Sequence, residues 1–276
     1  MMVALLLKFC SGLKLFGFHN LCGFRNFILS RCYYKHSMCN VNLMIASLSS
    51  SIISSRTCWN CKRLLEDVDF FCKCGKVQPV NTNWSYFEVL GYSSPQPVID
   101  VDDLSDRMRQ SQKLLHPDKF SGKSPYERKL ALDASAFINK AYSCLQKPVE
   151  RYEYILRLHG MSTDNLDLRK SGDLDFLSEV MDRREKVEEV VNAISNFKSS
   201  KKTISGLSNS INELVVDIRQ WLSDEEKSLI SFIKKSDWSR ALISLSRFKY
   251  ILKIFEELRE HELAWRKLGI NVTMTH

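Results

Sequence analysis

Gln112-Lys113-Leu114-Leu115-His116-Pro117-Asp118-Lys119-Phe120 joins two helical patterns through a short polar loop. Upstream, from Val101, the residues Leu104, Met108 and Leu115 recur with polar residues between them. That spacing predicts an amphipathic helix with Asp100 or Asp102 as its N-cap. Pro117 ends it, because proline disfavours helical geometry in the residue before it. After the loop 118–123, Ser124-Pro125-Tyr126-Glu127 reads as a capping box with proline at the first helical position. The next helix places Leu130, Ala134, Phe137, Ile138, Ala141, Tyr142 and Leu145 at core-facing spacing. Pro148 interrupts it, and 149–159 look helical again. Ahead of the hairpin, Trp84, Tyr86, Phe87 and Leu90 form a short apolar turn that Gly91 can close. The prediction is two antiparallel helices with His116, Pro117 and Asp118 on their connecting loop. The polar face of the first helix carries Arg107, Arg109 and Lys113, with a solvated helix face as the competing reading.

Beyond a polar link, 162–172, three longer periodic stretches fill 173–270. The first, about 173–197, turns Leu174, Leu177, Val180, Met181, Val187, Val191 and Ile194 inward. The second, about 205–235, carries Leu207, Ile211, Leu214, Ile218, Trp221, Leu222, Leu229 and Phe232. Ser223-Asp-Glu-Glu226 resembles a capping box, so a break is expected there. Ser236-Asp237 caps the third, with Trp238, Leu242, Leu245, Phe248, Leu252, Phe255 and Leu258. An antiparallel three-helix bundle follows, and the fold class is all-α. A coiled-coil homodimer is the structural alternative, but the spacing lies nearer 3.6 than a sustained heptad.

Of nine cysteines, Cys58, Cys61, Cys72 and Cys74 form the one cluster after residue 56. Two close pairs on a hairpin over 57–80 can give four soft ligands to a tetrahedral ion, and structural zinc is favoured. Cys58-Trp-Asn-Cys61 has standard spacing, whereas Cys72-Lys-Cys74 is one residue short. A disulfide pair or a partly occupied site are the competing readings. No open coordination position with a base is evident, which speaks against a catalytic metal. Cys144 stands alone in a helical pattern, where a small buried hydrophobe is expected.

The 276 residues hold 40 Lys and Arg against 32 Asp and Glu, a net charge of +8, with 44% apolar residues. That length suits one or two domains with real cores. The excess charge sits at one end: eight basic and no acidic residues precede Glu66, and the charges balance from there on. The balanced body gives no footprint for nucleic acid. Residues 1–56, apolar, basic, Ser-rich and acid-free, are expected to be a mitochondrial transit peptide and linker, with chloroplast import or secretion as the alternatives. No segment is apolar enough to span a bilayer. His116 has no nucleophile or base in register with it, so an enzyme is not expected.

The flanks of His116-Pro117-Asp118, together with Tyr86-Phe-Glu-Val-Leu90 and Ile138-Asn-Lys-Ala-Tyr142, Leu145, Pro148 and Arg151-Tyr152, resemble the J domain of DnaJ-type co-chaperones over 84–160. With the Cys-Trp-Asn-Cys knuckle in front and a bundle behind, the chain from 58 to about 270 resembles the HscB-type iron–sulfur cluster co-chaperones. The resemblance implies an L-shaped body with the J domain beside the bundle. It also implies two partners in the mitochondrial matrix. A DnaK-type chaperone of the 70-kDa heat-shock class would meet His116, Pro117, Asp118, Arg107, Arg109 and Lys113, and its ATPase would be stimulated. An IscU-type scaffold would meet Leu177, Met181, Asp182, Glu185, Glu189 and Tyr250. Ser178 departs from the larger apolar residue common in the pattern, which implies a smaller hydrophobic contact. Without the resemblance, Leu177 and Met181 would be read as core and the acidic residues as a solvated face. The functional alternative is a general mitochondrial J-domain folding co-chaperone, though no Gly-rich linker or β-rich client domain is visible.

Overall fold

A computed structural model of the chain describes residues 56–65, 68–162, 173–195, 201–270 and 272. Most of the expected leader and the link 163–172 lie outside the described residues. Among the described residues there are seven α-helices and no β-strand.

Ser85 opens α1 (Tyr86–Val89) with a complete capping box: its hydroxyl accepts the Glu88 N–H, and the Glu88 carboxylate accepts the Ser85 N–H. Gly91 ends this turn at φ +77°, a left-handed conformation open to glycine. A Cβ there would also lie 3.0 Å from the Arg107 guanidinium. Asp100 caps α2 (Val101–Leu115), accepting from the N–H groups of Asp102 and Asp103. One 3-10 turn, Pro117–Phe120, leads towards α3 (Pro125–Gln146), and Pro148 begins α4 (Pro148–Leu158). The buried Arg151 ties α4 down, donating to Pro97 O at 2.9 Å and to Leu145 O at 2.5 Å.

The bundle helices are α5 (Leu174–Ser195), α6 (Lys201–Lys234) and α7 (Trp238–Lys267). The expected break at Ser223 does not occur, and α6 runs on through it. Two side chains of that acidic motif are engaged outside the helix. Glu226 accepts the Tyr152 hydroxyl at 2.7 Å, and the Glu225 carboxylate accepts the Ser244 hydroxyl. The inward stripe of α5 also differs from expectation. Phe176, Val180, Val187 and Ile194 are buried, while Leu174 and Met181 are each 70% exposed. Leu174 precedes Phe176 by two residues, about 200° around a helix of 3.6 residues per turn, and so faces away from the core.

Among the described residues two apolar clusters form the core. One joins Phe87, Leu104, Leu115, Ile138, Leu145, Tyr152 and Ile155 to Leu229, Ile233, Ala241 and Leu245, where α6 turns into α7. The other fills the rest of the bundle around Ile211, Ile218, Ile251, Phe255 and Trp265. The hairpin and the near end of the bundle therefore share one core. Its rim adds a His159–Trp238 stack at 3.6 Å, a Tyr152–Phe248 edge contact and a Lys249–Glu153 pair.

Candidate functional site

The loop between α2 and α3 is held from both sides. Phe120 is buried and anchors its far end. Above it, Gln112 crosses to α3, donating to Asn139 Oδ1 at 2.8 Å and Ser135 O at 3.2 Å while accepting the Ser135 hydroxyl. Neither Gln112 nor Asn139 had a role assigned from sequence, although a polar pair at matching depth on two antiparallel helices is a legible signal. Between these anchors the tripeptide is presented outward. His116 caps the 3-10 turn, its Nδ1 facing the Asp118 N–H at 3.4 Å. The Asp118 side chain is 91% exposed. An acceptor so open can be desolvated by a partner's cation.

The three basic residues of α2 differ. Arg107 is turned back onto the fold: it pairs with Asp103 at 2.8 Å, donates to Gly91 O at 2.9 Å and lies over the Tyr92 ring. Hydrogen bonds from Arg107 and from Tyr92 hold Asp103 below the usual carboxylate range. Arg109 pairs with Asp106, while Lys113 is exposed with no ion pair among the described residues.

At the other end, α5 is pinned by its basic residues. Arg183 reaches Asp217 at 3.1 Å and lies over Trp221; Arg184 pairs with Glu257. Arg247 grips Asp173 with two bonds of 2.6 and 2.8 Å and covers the Phe176 ring. Phe176 in turn meets the edge of Tyr250, which brings the start of α5 beside that aromatic. What remains outward is Leu174 and Met181, with Leu177 and Tyr250 half-buried at their base. Asp182, Glu185 and Glu189 are exposed and have no ion pair among the described residues. The result is an apolar strip beside unneutralised carboxylates. Leu174 belongs to it, and its place was missed because an apolar residue at helical spacing reads as core.

The four cysteines sit on two facing turns. Cys58 accepts Lys62 N–H at its carbonyl and donates its own N–H to Arg63 O; Cys72 does the same with Gly75 and Lys76. Lys62 at φ 60° and Gly75 at φ 79° take the left-handed positions that close these turns. One antiparallel bridge flanks each, Thr57 with Leu64 and Phe71 with Val77. All four sulfurs are free thiols lying within 4.8 Å of one another, with approaches of 3.5 Å (Cys61–Cys72) and 3.7 Å (Cys58–Cys74). A tetrahedron with metal–sulfur bonds of about 2.3 Å has edges of about 3.8 Å, so the set could hold a metal ion despite the short second pair.

Crowding of the four sulfurs splits their titration. Burial pushes Cys58 up, but N–H groups of Cys61 and Asn60 and the neighbouring thiols bring it down to about 6. Cys72 accepts the Cys74 N–H, yet burial and the surrounding sulfurs drive it up to about 12. Four thiolates this close need a cation to neutralise them. The knuckle is also fastened to α3. Trp59 meets the Tyr126 ring edge-on at 5.2 Å, and Lys76 pairs at 3.0 Å with Glu127, whose carboxylate is nearly buried. Ser124 caps the Glu127 N–H as expected, but the Glu127 carboxylate takes Lys76 and the Ser124 hydroxyl.

A helical hairpin with an outward His-Pro-Asp loop thus shares its core with a three-helix bundle. The comparisons agree. A family model described as the HSCB C-terminal oligomerisation domain matches residues 172–259. A co-chaperone protein HscB homolog of Shewanella pealeana is 31% identical over 182 residues, 64% of this chain and 97% of that protein. The iron–sulfur cluster co-chaperone protein HscB of Mus musculus is 28% identical over 207 residues, 73% and 81% of the two chains. The crystal structure of human co-chaperone protein HscB superposes with a TM-score of 0.60 at 24% identity, covering 76% of this chain and all of that one. The chain belongs to the HscB co-chaperone family.

Proposed function

We propose that the chain is an iron–sulfur cluster co-chaperone of the mitochondrial matrix, with two binding arms on one folded body. The carrying observation is the pair of outward faces: the 91% exposed Asp118 side chain on the hairpin and the Leu174–Met181 strip on the bundle. In this reading Asp118 pairs with a cation at the domain seam of a DnaK-type chaperone. His116 and Pro117 hold the loop, Phe120 and the Gln112–Asn139 bridge hold its flanks, and Lys113 and Arg109 steer encounter. The apolar strip takes an IscU-type scaffold, with Asp182, Glu185 and Glu189 meeting its basic residues and Tyr250 closing the edge. Joining both partners on one body raises their effective concentration for each other. The chaperone's ATP hydrolysis, triggered by the loop, then promotes cluster transfer from the scaffold.

Cys58, Cys61, Cys72 and Cys74 hold zinc in this reading, and the ion supplies a covalent-strength cross-link between two turns that have little core of their own. The acid-free basic segment 1–56 supports import into mitochondria. The test is a ternary assay. His116→Gln should abolish stimulation of the chaperone's ATPase and leave scaffold affinity unchanged. Full stimulation by that variant, or no ternary complex with the wild-type chain, would refute the assignment.

A further inference from the structure

Gln78 lies between the two cysteine turns with its residue surface fully buried. Its Nε2 donates to Cys58 Sγ at 3.3 Å and to Lys76 O at 2.8 Å. Its Oε1 is buried without a hydrogen-bond partner among the described residues. The orientation of the amide is set by these contacts. Turned over, its oxygen would face the Lys76 carbonyl oxygen and, in the thiolate form that binds metal, the Cys58 sulfur, and two acceptors repel. So both N–H bonds are spent on the cysteine turns, and the fold tolerates an orphaned oxygen to keep them there. A buried amide is costly to leave half-satisfied. A leucine would fill the same space with no such cost, so packing alone does not account for glutamine here.

We infer that Gln78 is a positioning residue of the metal centre, holding the Cys58 sulfur by an N–H···S hydrogen bond and locking it to the second turn through Lys76 O. Cys58 is the most enclosed of the four sulfur-bearing residues, while Cys61 and Cys74 are exposed. The Cys61 N–H also points at its sulfur, at 3.5 Å. Cys58 is thus the anchored ligand, and the open side of the site is the Cys61–Cys74 edge, where a competing chelator enters. Hydrogen bonding to a metal-bound thiolate withdraws charge from sulfur and orients it, as outer partners do for other ligands.

The inference rests on the four-cysteine metal reading, and the experiment separates the two. The full chain is loaded with zinc, and release to excess pyridylazoresorcinol is timed for wild type, Gln78→Leu and the equally sized Gln78→Glu. A parallel set is loaded with cobalt(II). Both variants should release zinc roughly tenfold faster or more, in line with the loss of an outer-sphere donor. Their sulfur-to-cobalt charge-transfer band should move to lower energy, because an unbonded thiolate is easier to oxidise. Metal-free Gln78→Leu should melt no lower than metal-free wild type, since it removes the orphaned oxygen. Release rates and a band equal to wild type in both variants would overturn the inference. So would an equal drop in melting temperature with and without metal, which marks a filler of space. A wild-type chain that takes up neither metal overturns the metal reading itself.

Discussion

Met181→Ala tests the bundle face most sharply, because structure and sequence pattern disagree about that side chain. Helical spacing places Met181 in the core, whereas 70% of it faces solvent. Fully burying a methionine is worth about 1.5–3 kcal/mol, so covering the exposed share contributes about 1–2 kcal/mol to a complex. Loss of that contact predicts a Kd for an IscU-type scaffold raised roughly 5–30-fold. Folding should barely change: alanine is the better helix former, and surface substitutions stay within about 0.5 kcal/mol. Phe176→Ala, five positions earlier and buried against Trp221 and Tyr250, is the contrast, costing about 3–5 kcal/mol of stability. Isothermal titration against the scaffold, paired with thermal melts of both variants, gives the two readouts. A Met181→Ala affinity within twofold of wild type would refute the placement of the face. A melting point as depressed as that of Phe176→Ala would show Met181 to be core after all.

Tyr152→Phe removes a hydroxyl that donates to the Glu226 carboxylate across the shared core. Hydrogen bonds to charged groups are worth about 1.5–3 kcal/mol, so the thermal midpoint should fall by several degrees; an unchanged midpoint would mean that the bond contributes nothing. Asp103, held below its ordinary value by hydrogen bonds from Arg107 and Tyr92, stabilises the fold fully above about pH 4. That contribution disappears as pH falls through its depressed value, so the gap in stability between wild type and Asp103→Asn should close in acid; a gap constant from pH 6 to pH 2 would contradict the pairing. Stripping metal with a chelator should speed hydrogen exchange at the Glu127 and Arg128 amides, which bond to Ser124 at the start of α3 beside the Trp59 and Lys76 contacts. Unchanged protection there would show the knuckle to be mechanically separate from the hairpin.

The hairpin was legible because local chemistry determines it: Asp100 and Ser124 cap its helices, and Pro117 and Pro125 punctuate them, as the sequence pattern requires. The bundle's existence was legible too, but its details depend on partners distant in sequence. Ser223-Asp-Glu-Glu226 has the composition of a helix start, yet Tyr152 and Ser244 claim Glu226 and Glu225 and α6 continues. Arg107 reads as a surface cation, and only the approach of Gly91 and Tyr92 reveals it as a brace. Leu174 and Met181 satisfy the periodicity of a core stripe, and the displacement to Phe176 appears only once Arg247, Trp221 and Tyr250 surround that ring. Gln78 gave no signal at all, since a single amide four residues past Cys74 resembles any polar loop residue.

The core common to the hairpin and the α6–α7 turn has a mechanical consequence. Leu229, Ile233, Ala241 and Leu245 belong to one buried apolar cluster with Leu145, Tyr152 and Ile155, so a swing of one arm against the other would have to expose that surface to water. In the reading proposed above, the approach of the two partners to each other would then be made chiefly by those molecules, with this shared core as the frame between them.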